Sequence, residues 1–297
     1  MNAPDTELGP ESLLWRWAGD TRVGFLAASV GLLQLMHPGI GAGVLEHSDF
    51  FDDPYGRVFR SVPWILGVVY DGPRSPQTGT EVRDFHRHVK GVDDAGRQYH
   101  ALAPETYWWA HATFQYMTEQ VADRFDKHRL TPEEREQLYQ EGVAWYRRYG
   151  VSDRVVPANR AAFQETWDHY CSERLEMNAA AERVLELIVN HRHAPQLPDD
   201  VAWVRPLVRT RPLRRLMFIP LRIAAIGGLP PVVRERFGIP WSRADQLALN
   251  AIERTVRTTW PMLPFTWRWQ PRALEGWRRA QSTDAEHGPF RCLGTGR

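Results

Sequence analysis

The sequence predicts an all-α protein on three observations. Apolar residues recur at helical spacing along most of the chain, no alternating run exceeds a few residues, and caps and prolines punctuate it at helix-like intervals. With 297 residues, 43% of them hydrophobic, it can bury the core of one multi-helix domain. That domain is expected over residues 13–280, between a disordered tail (1–12) and a mobile C-terminal tail (281–297).

Asp20-Thr21 reads as the cap of a helix reaching Met36, and Pro38 then admits a short second helix through Leu45. Val23 to Leu45 comes closest to a membrane span, but Gln34, His37-Pro38 and glycines interrupt it. The dense part, Phe25 to Met36, covers about 18 Å against the ~30 Å of a hydrocarbon layer, so a buried helix is expected. Asp53-Pro54 opens the next helix, with Pro63 as a possible kink. Ser75-Pro76 starts another, which is expected to run to Gly91. Asp93 to Gly96 reads as a turn. Pro104 begins an aromatic helix, and Thr131-Pro-Glu-Glu134 has the cap, first-turn proline and acidic start of a helix closing at Gly150. Asn159 caps a helix expected through Arg174. Residues 191–212 read as an irregular connection, and Arg214–Arg222 and Ser242–Trp260 return to helix.

Lys and Arg total 37 against 36 Asp and Glu, a net charge of +1, so no nucleic-acid partner is expected. Arg205, Arg209, Arg211, Arg214, Arg215 and Arg222 do cluster, either as a solvated helix face or as an attraction for an anionic membrane or substrate. Cys171 and Cys292 lie too far apart for a Cys-x-x-Cys site. The first residues lack a secretory pattern. A cytoplasmic location is expected, with peripheral membrane contact left open. Thirteen tryptophans suggest a broad aromatic pocket or an interfacial surface.

Glu-x-x-His pairs, His-Glu-x-x-His, Gly-x-Gly-x-x-Gly, a phosphate-binding loop and Gly-x-Ser-x-Gly are all absent, which leaves single histidines as candidate ligands. In Val82-Arg-Asp-Phe-His-Arg-His-Val-Lys-Gly91, helical spacing puts His86 on one stripe with Val82, Phe85 and Val89, while His88 falls on the charged side. An inward imidazole either satisfies a buried partner or ligates a metal, and an axial haem ligand is one form of the latter. Arg57 and Ser61 share a stripe with Trp64, Ile65 and Val68, with Arg60 one position off. A guanidinium so placed needs an anion, from the protein or from a ligand. His111, in the run Tyr107 to Phe114, fits a hydrogen bond across helix packing or a catalytic role. Glu46 and His47 flank the glycine-rich Gly39–Gly43, where either can serve as a base or as a cap.

Several of these segments occur in an ordered series that resembles the MpaB-type oxygenase family, which shares its catalytic domain with the latex-clearing rubber oxygenases. The series comprises His37-Pro-Gly-Ile-Gly-Ala-Gly-Val, Glu46-His-Ser-Asp-Phe50, Asp53-Pro-Tyr-Gly-Arg57, Val82 to Gly91, Tyr99-His-Ala-Leu-Ala-Pro104, Trp109-Ala-His111, Leu229 to Arg234, Gly238-Ile-Pro-Trp241-Ser and Leu263-Pro, within residues 14–280. The resemblance implies a single all-helical domain around a buried haem b pocket, with His86 as the proximal iron ligand. It further implies Arg57, Arg60 and Ser61 beside the haem, and His111 or Glu46 assisting proton movement. Dioxygen and an apolar, isoprenoid or lipid-like substrate with a C=C bond are the implied reactants. The rubber-oxygenase branch has Arg-x-x-Lys-Thr where this chain has Arg57-Val-Phe-Arg60-Ser61. A lysine can lose its proton and ligate iron, whereas a guanidinium cannot. No lysine-closed state is therefore expected, nor rubber as substrate. A haem sensor or carrier, and a cofactor-free membrane-associated helical protein, are the alternatives.

Overall fold

A computed structural model describes residues 8–190 and 211–285. Local start signals account for most of its helices. Ser12 caps α1 (Leu13–Trp17), its hydroxyl accepting from the Trp15 amide. Asp20 caps a 3-10 turn, Thr21–Phe25, and only then does α2 (Ala27–Leu35) begin. The one helix expected from Thr21 is thus two pieces, because the Asp20 carboxylate folds back onto Arg22. Proline occupies the first turn of both α3 (Pro38–His47) and α4 (Pro54–Tyr70), and α4 continues through Pro63. After α5 (Ser75–Asp84), β1 (Lys90–Val92) and β2 (Gln98–His100) form an antiparallel hairpin with Gly91 opposite Tyr99.

Next come α6 (Pro104–Phe125), α7 (Pro132–Arg147), α8 (Arg160–His169) with a closing π turn at Tyr170–Arg174, and α9 (Ala179–Asn190). Thr131 and Glu134 make a full capping box, and the Asn159 side chain accepts from the Ala162 amide, as their positions predict. The described chain resumes with α10 (Arg211–Gly227), α11 (Pro231–Arg236), α12 (Arg243–Thr259), α13 (Phe265–Arg268) and α14 (Pro271–Ala285). The molecule is all-α apart from the hairpin.

Helix α2 forms the centre, packed against α3, α6, α9 and α10, with Leu32, Leu33 and Met36 fully buried. The Phe25–Met36 stretch is therefore core, as expected. No single described helix is long and apolar enough to cross a membrane; α2 and α3 reach that length only together, bent by 98°. Most of the described tryptophans pack in or against this core. Trp109 stacks between Tyr170 at 4.6 Å and Trp167 at 5.0 Å, and Tyr116 lies on Trp167 at 4.3 Å, joining α6 to α8.

The described chain reaches into both expected tails, of which residues 1–7 and 286–297 lie outside the described residues. Leu8 is buried, and α14 passes residue 280 because Gly276 packs on Tyr70 and Trp277 meets the edge of Trp15 at 5.3 Å. Cys171 is buried and unpaired; Cys292 lies outside the described residues. So do Arg205, Arg209 and the side chains of Arg211, Arg214 and Arg215, while Arg222 pairs with Asp245 at 3.0 Å.

Gly79 allows α5 to approach the end of α7, since a Cβ there would collide with the Arg148 carbonyl. Backbone has little freedom to yield, so Gly79→Ala should cost about 1–3 kcal/mol. Urea titration checks this; an unchanged midpoint would show that the two helices can separate freely.

Candidate functional site

Helix α5 is fastened to α4 before it delivers His86. Ser75 Oγ donates to the Gly67 carbonyl at 3.2 Å and Thr78 Oγ1 to Asp71 Oδ2 at 2.7 Å. The helix was expected to run on to Gly91, but it ends at Asp84, where Arg83 and Arg87 both bond the Asp84 carboxylate. His86 therefore stands in the turn that enters the hairpin. Phe85, expected inside, is 58% exposed, while Val82 is buried. Gly91 does not cap a helix. It lies in β1, where a Cβ would meet Glu46 and the Tyr99 phenol.

The His86 ring is held in one orientation. Nδ1 lies 2.8 Å from the Val82 carbonyl, four residues back, and a carbonyl can only accept, so Nδ1 carries the proton. Nε2 then has a free lone pair and makes no hydrogen bond among the described residues. Burial lowers the imidazole pKa, opposed by the Val82 bond and assisted by the nearby Arg57 charge. A neutral imidazole with its second nitrogen fixed by a backbone carbonyl is the form that ligates a metal. The Tyr107 ring closes one side, edge-on at 5.9 Å.

Facing this turn is the N-terminal half of α4. Asp53 caps it through the Gly56 amide at 2.9 Å. Arg57 donates to Ser61 Oγ, which itself donates to the Arg57 carbonyl at 2.8 Å. Arg60 turns away to Asp49 at 2.6 Å and Asp53 at 3.0 Å. The stripe predicted to face inward does so only at its far end. Val68 is fully buried, but Trp64 is 41% exposed and meets Phe85 edge-on at 5.2 Å. Val58 and Phe59 are exposed on the same half-helix. An imidazole with a free Nε2, a guanidinium within electrostatic reach and the rings of Tyr107, Phe85 and Trp64 thus lie around this turn. Those are the groups a flat, apolar, carboxylate-bearing macrocycle requires, and the residues present fit a haem. Among the described residues no three His, Cys, Asp or Glu side chains gather as a metal cage; haem iron needs only an axial ligand.

The two candidate proton carriers do not join that constellation directly. His111 is fully buried in α6, its Nε2 donating to the Gly142 carbonyl of α7 at 2.8 Å, with Trp145, Tyr146 and Tyr149 around it. This is the hydrogen bond across helix packing that its position allowed. The Tyr107 and Tyr149 rings lie between it and His86. Glu46 has a half-exposed carboxylate that accepts from the Tyr99 phenol, whose pKa is pushed up to about 12, chiefly by burial. That bond ties α3 to the hairpin following His86. Tyr99 and Tyr107 were not singled out from sequence. Helical spacing gives no sign of the first, and the second was visible only as part of an aromatic run. His88 is exposed, as its side of the segment predicted.

Burial lowers the His111 pKa from 6.5 to about 4, and His37 shifts the same way. The unfolded chain thus binds protons that the fold excludes. The stabilising effect of the neutral rings is complete above pH 6.5 and is lost as pH falls towards 4. For His111 the loss is on the order of 3 kcal/mol. Melting temperatures followed from pH 7 to pH 5 should fall less for His111→Gln than for the wild type; parallel curves would exclude the assignment.

Residues 15–258 match the family described as ER-bound oxygenase mpaB/B'/rubber oxygenase, catalytic domain. The chain belongs to this family. The match spans the elements from α1 to α12 and includes His86, Arg57, Arg60, Ser61, Glu46 and His111. Neither a curated protein nor a solved structure matches the chain. Membership in the mpaB and rubber oxygenase family makes this an oxygenase-type catalytic domain, for which a small-molecule substrate and dioxygen are the general reactants.

Proposed function

We infer that this family member is a haem b-dependent oxygenase that uses dioxygen to oxidise an apolar, isoprenoid or lipid-like substrate at a carbon–carbon double bond. The observation that carries the reading is the His86 ring, with Nδ1 donating to the Val82 carbonyl and Nε2 left free. His86 Nε2 would ligate the iron. Arg57 and Ser61 would hold the carboxylate edge, with Arg60, paired to Asp49 and Asp53, bracing the start of their helix. When bound, haem supplies the dioxygen chemistry, and the protein supplies orientation and a dry site.

Trp64 and Phe85, which meet edge-on beside His86, would offer apolar contact to the substrate and exclude water around it. Glu46 Oε2 already holds the Tyr99 phenolic proton in a hydrogen bond, which suits it to pass a proton at the rim. His111, hydrogen-bonded and enclosed, serves the site by fixing α6 against α7. Arg60 in place of lysine supports a site without a lysine-type distal ligand. We place the protein in a reducing, cytoplasmic setting.

The test is direct. Purified protein should show a Soret band, or gain one on adding haem, and the ferrous form with oxygen should convert members of an unsaturated lipid and isoprenoid panel to carbonyl or oxygenated products. A Soret band without product would indicate a haem sensor or carrier. Absence of haem binding would defeat the reading altogether.

A further inference from the structure

Between Arg254 and Leu274 the sequence holds four arginines and no aspartate or glutamate. Within this stretch the run Pro261–Trp267 is uncharged and its large side chains face solvent: Met262 is 81% exposed, Trp267 68% and Phe265 41%. Such exposure is unfavourable in water, and an unrestrained loop would relieve it by folding back. This loop is restrained. Thr21 Oγ1 donates to the Trp267 carbonyl at 3.0 Å, the Gln270 amide donates to the Gly19 carbonyl at 2.8 Å, and Asp20 forms a β-bridge with Trp269. Trp260 lies under the Arg22 guanidinium at 4.9 Å, and Trp269 rests on Trp277 at 5.2 Å. The two bounding tryptophans anchor the loop, and the apolar tip projects.

Arginines flank that tip in sequence. Arg268 lies over the Phe265 ring at 5.7 Å, and exposed Arg254 has no carboxylate partner among the described residues. The nearest acidic residues in sequence are taken, Glu253 by Arg124 and Glu275 by Arg272, each at 3.4 Å. Aromatic rings and a methionine projecting from a cationic rim match a bilayer interface, where the rings settle at headgroup depth and the guanidinium groups meet phosphates.

We propose that the loop between α12 and α14 docks the protein on an anionic bilayer, inserting Met262, Phe265 and Trp267 and placing Arg254 and Arg268 on lipid phosphates. The loop lies beyond the residues matched to the family, 15–258, and the proposal stands apart from the haem reading. A bilayer is also where an apolar substrate would be concentrated.

Full-length protein sedimented with phosphatidylcholine vesicles should bind weakly, and should bind strongly once phosphatidylglycerol is included, with the gain reversed by salt. The triple variant Met262→Ser, Phe265→Ser, Trp267→Ser should lose at least about tenfold in vesicle affinity, with unchanged melting temperature and unchanged sedimentation without lipid. The proposal is overturned if wild type does not bind, or if the variant binds equally well. It is also overturned if wild type self-associates without lipid and the variant abolishes that, which would make the loop a contact between copies. His86→Ala should bind vesicles like wild type, so failure of docking and failure of haem binding are read separately.

Discussion

His86→Ala should abolish or markedly shift the Soret band expected of the purified protein, and its affinity for added haem should fall by at least about 100-fold. The expectation follows from geometry. His86 is the histidine at this site whose Nε2 is free and whose Nδ1 is tied to a backbone carbonyl, at 2.8 Å from Val82. The other candidate residues do not replace it: His111 is enclosed in the core, and Arg57 and Arg60 stay charged and ligate poorly. Circular dichroism should show the fold intact, because the ring is only half-buried and forms one hydrogen bond. An unaltered Soret maximum in the variant rules out His86 as the ligand. Retention of haem in a shifted band, restored by imidazole, would confirm that the axial position is the one removed.

Arg22→Met lowers stability by about 3–5 kcal/mol, since it removes one partner of a buried ion cluster and leaves the others charged. Arg22 is 4% exposed. It binds Asp20 through three contacts of 2.7–3.0 Å, Asp126 at 3.1 Å and the Phe125 carbonyl at 2.6 Å. Burial already pushes the Asp20 carboxyl pKa up, against the pull of Arg22. Without the guanidinium, Asp20 and Asp126 must take up protons or find water. The melting temperature should fall by roughly 10 °C. Adding Asp20→Asn should restore part of the loss, because it removes one of the orphaned charges. If the double variant melts lower still, the cost lies in lost packing beneath Trp260 and not in charge.

Segments whose structure depends on neighbours in sequence were legible. Thr131 with Glu134 and Ser242 with Asp245 form capping boxes, and Asn159 caps α8, because a side-chain oxygen and the amides it accepts from are three residues apart. Among the site residues, the need of His86 for a partner could be read from the sequence, and the Val82 carbonyl four residues back is one such partner. The end of its helix could not be read. Val82, Phe85, His86 and Val89 fit a helical stripe equally well whether or not the helix continues.

What the sequence alone determined is the all-helical class, the central apolar helix α2, most helix starts and the family motif that singles out His86. Each is a short-range or compositional property, set by periodicity and by capping within a turn. The tertiary structure decided where α5 stops, because the Tyr99–Glu46 bond joins residues 53 apart and holds a hairpin where the helix would have run. It likewise decided that Arg22 is buried: Asp20 pairs with it locally, but the Phe125 carbonyl and Asp126 that complete its bonding arrive from more than a hundred positions away, and no local pattern records their approach.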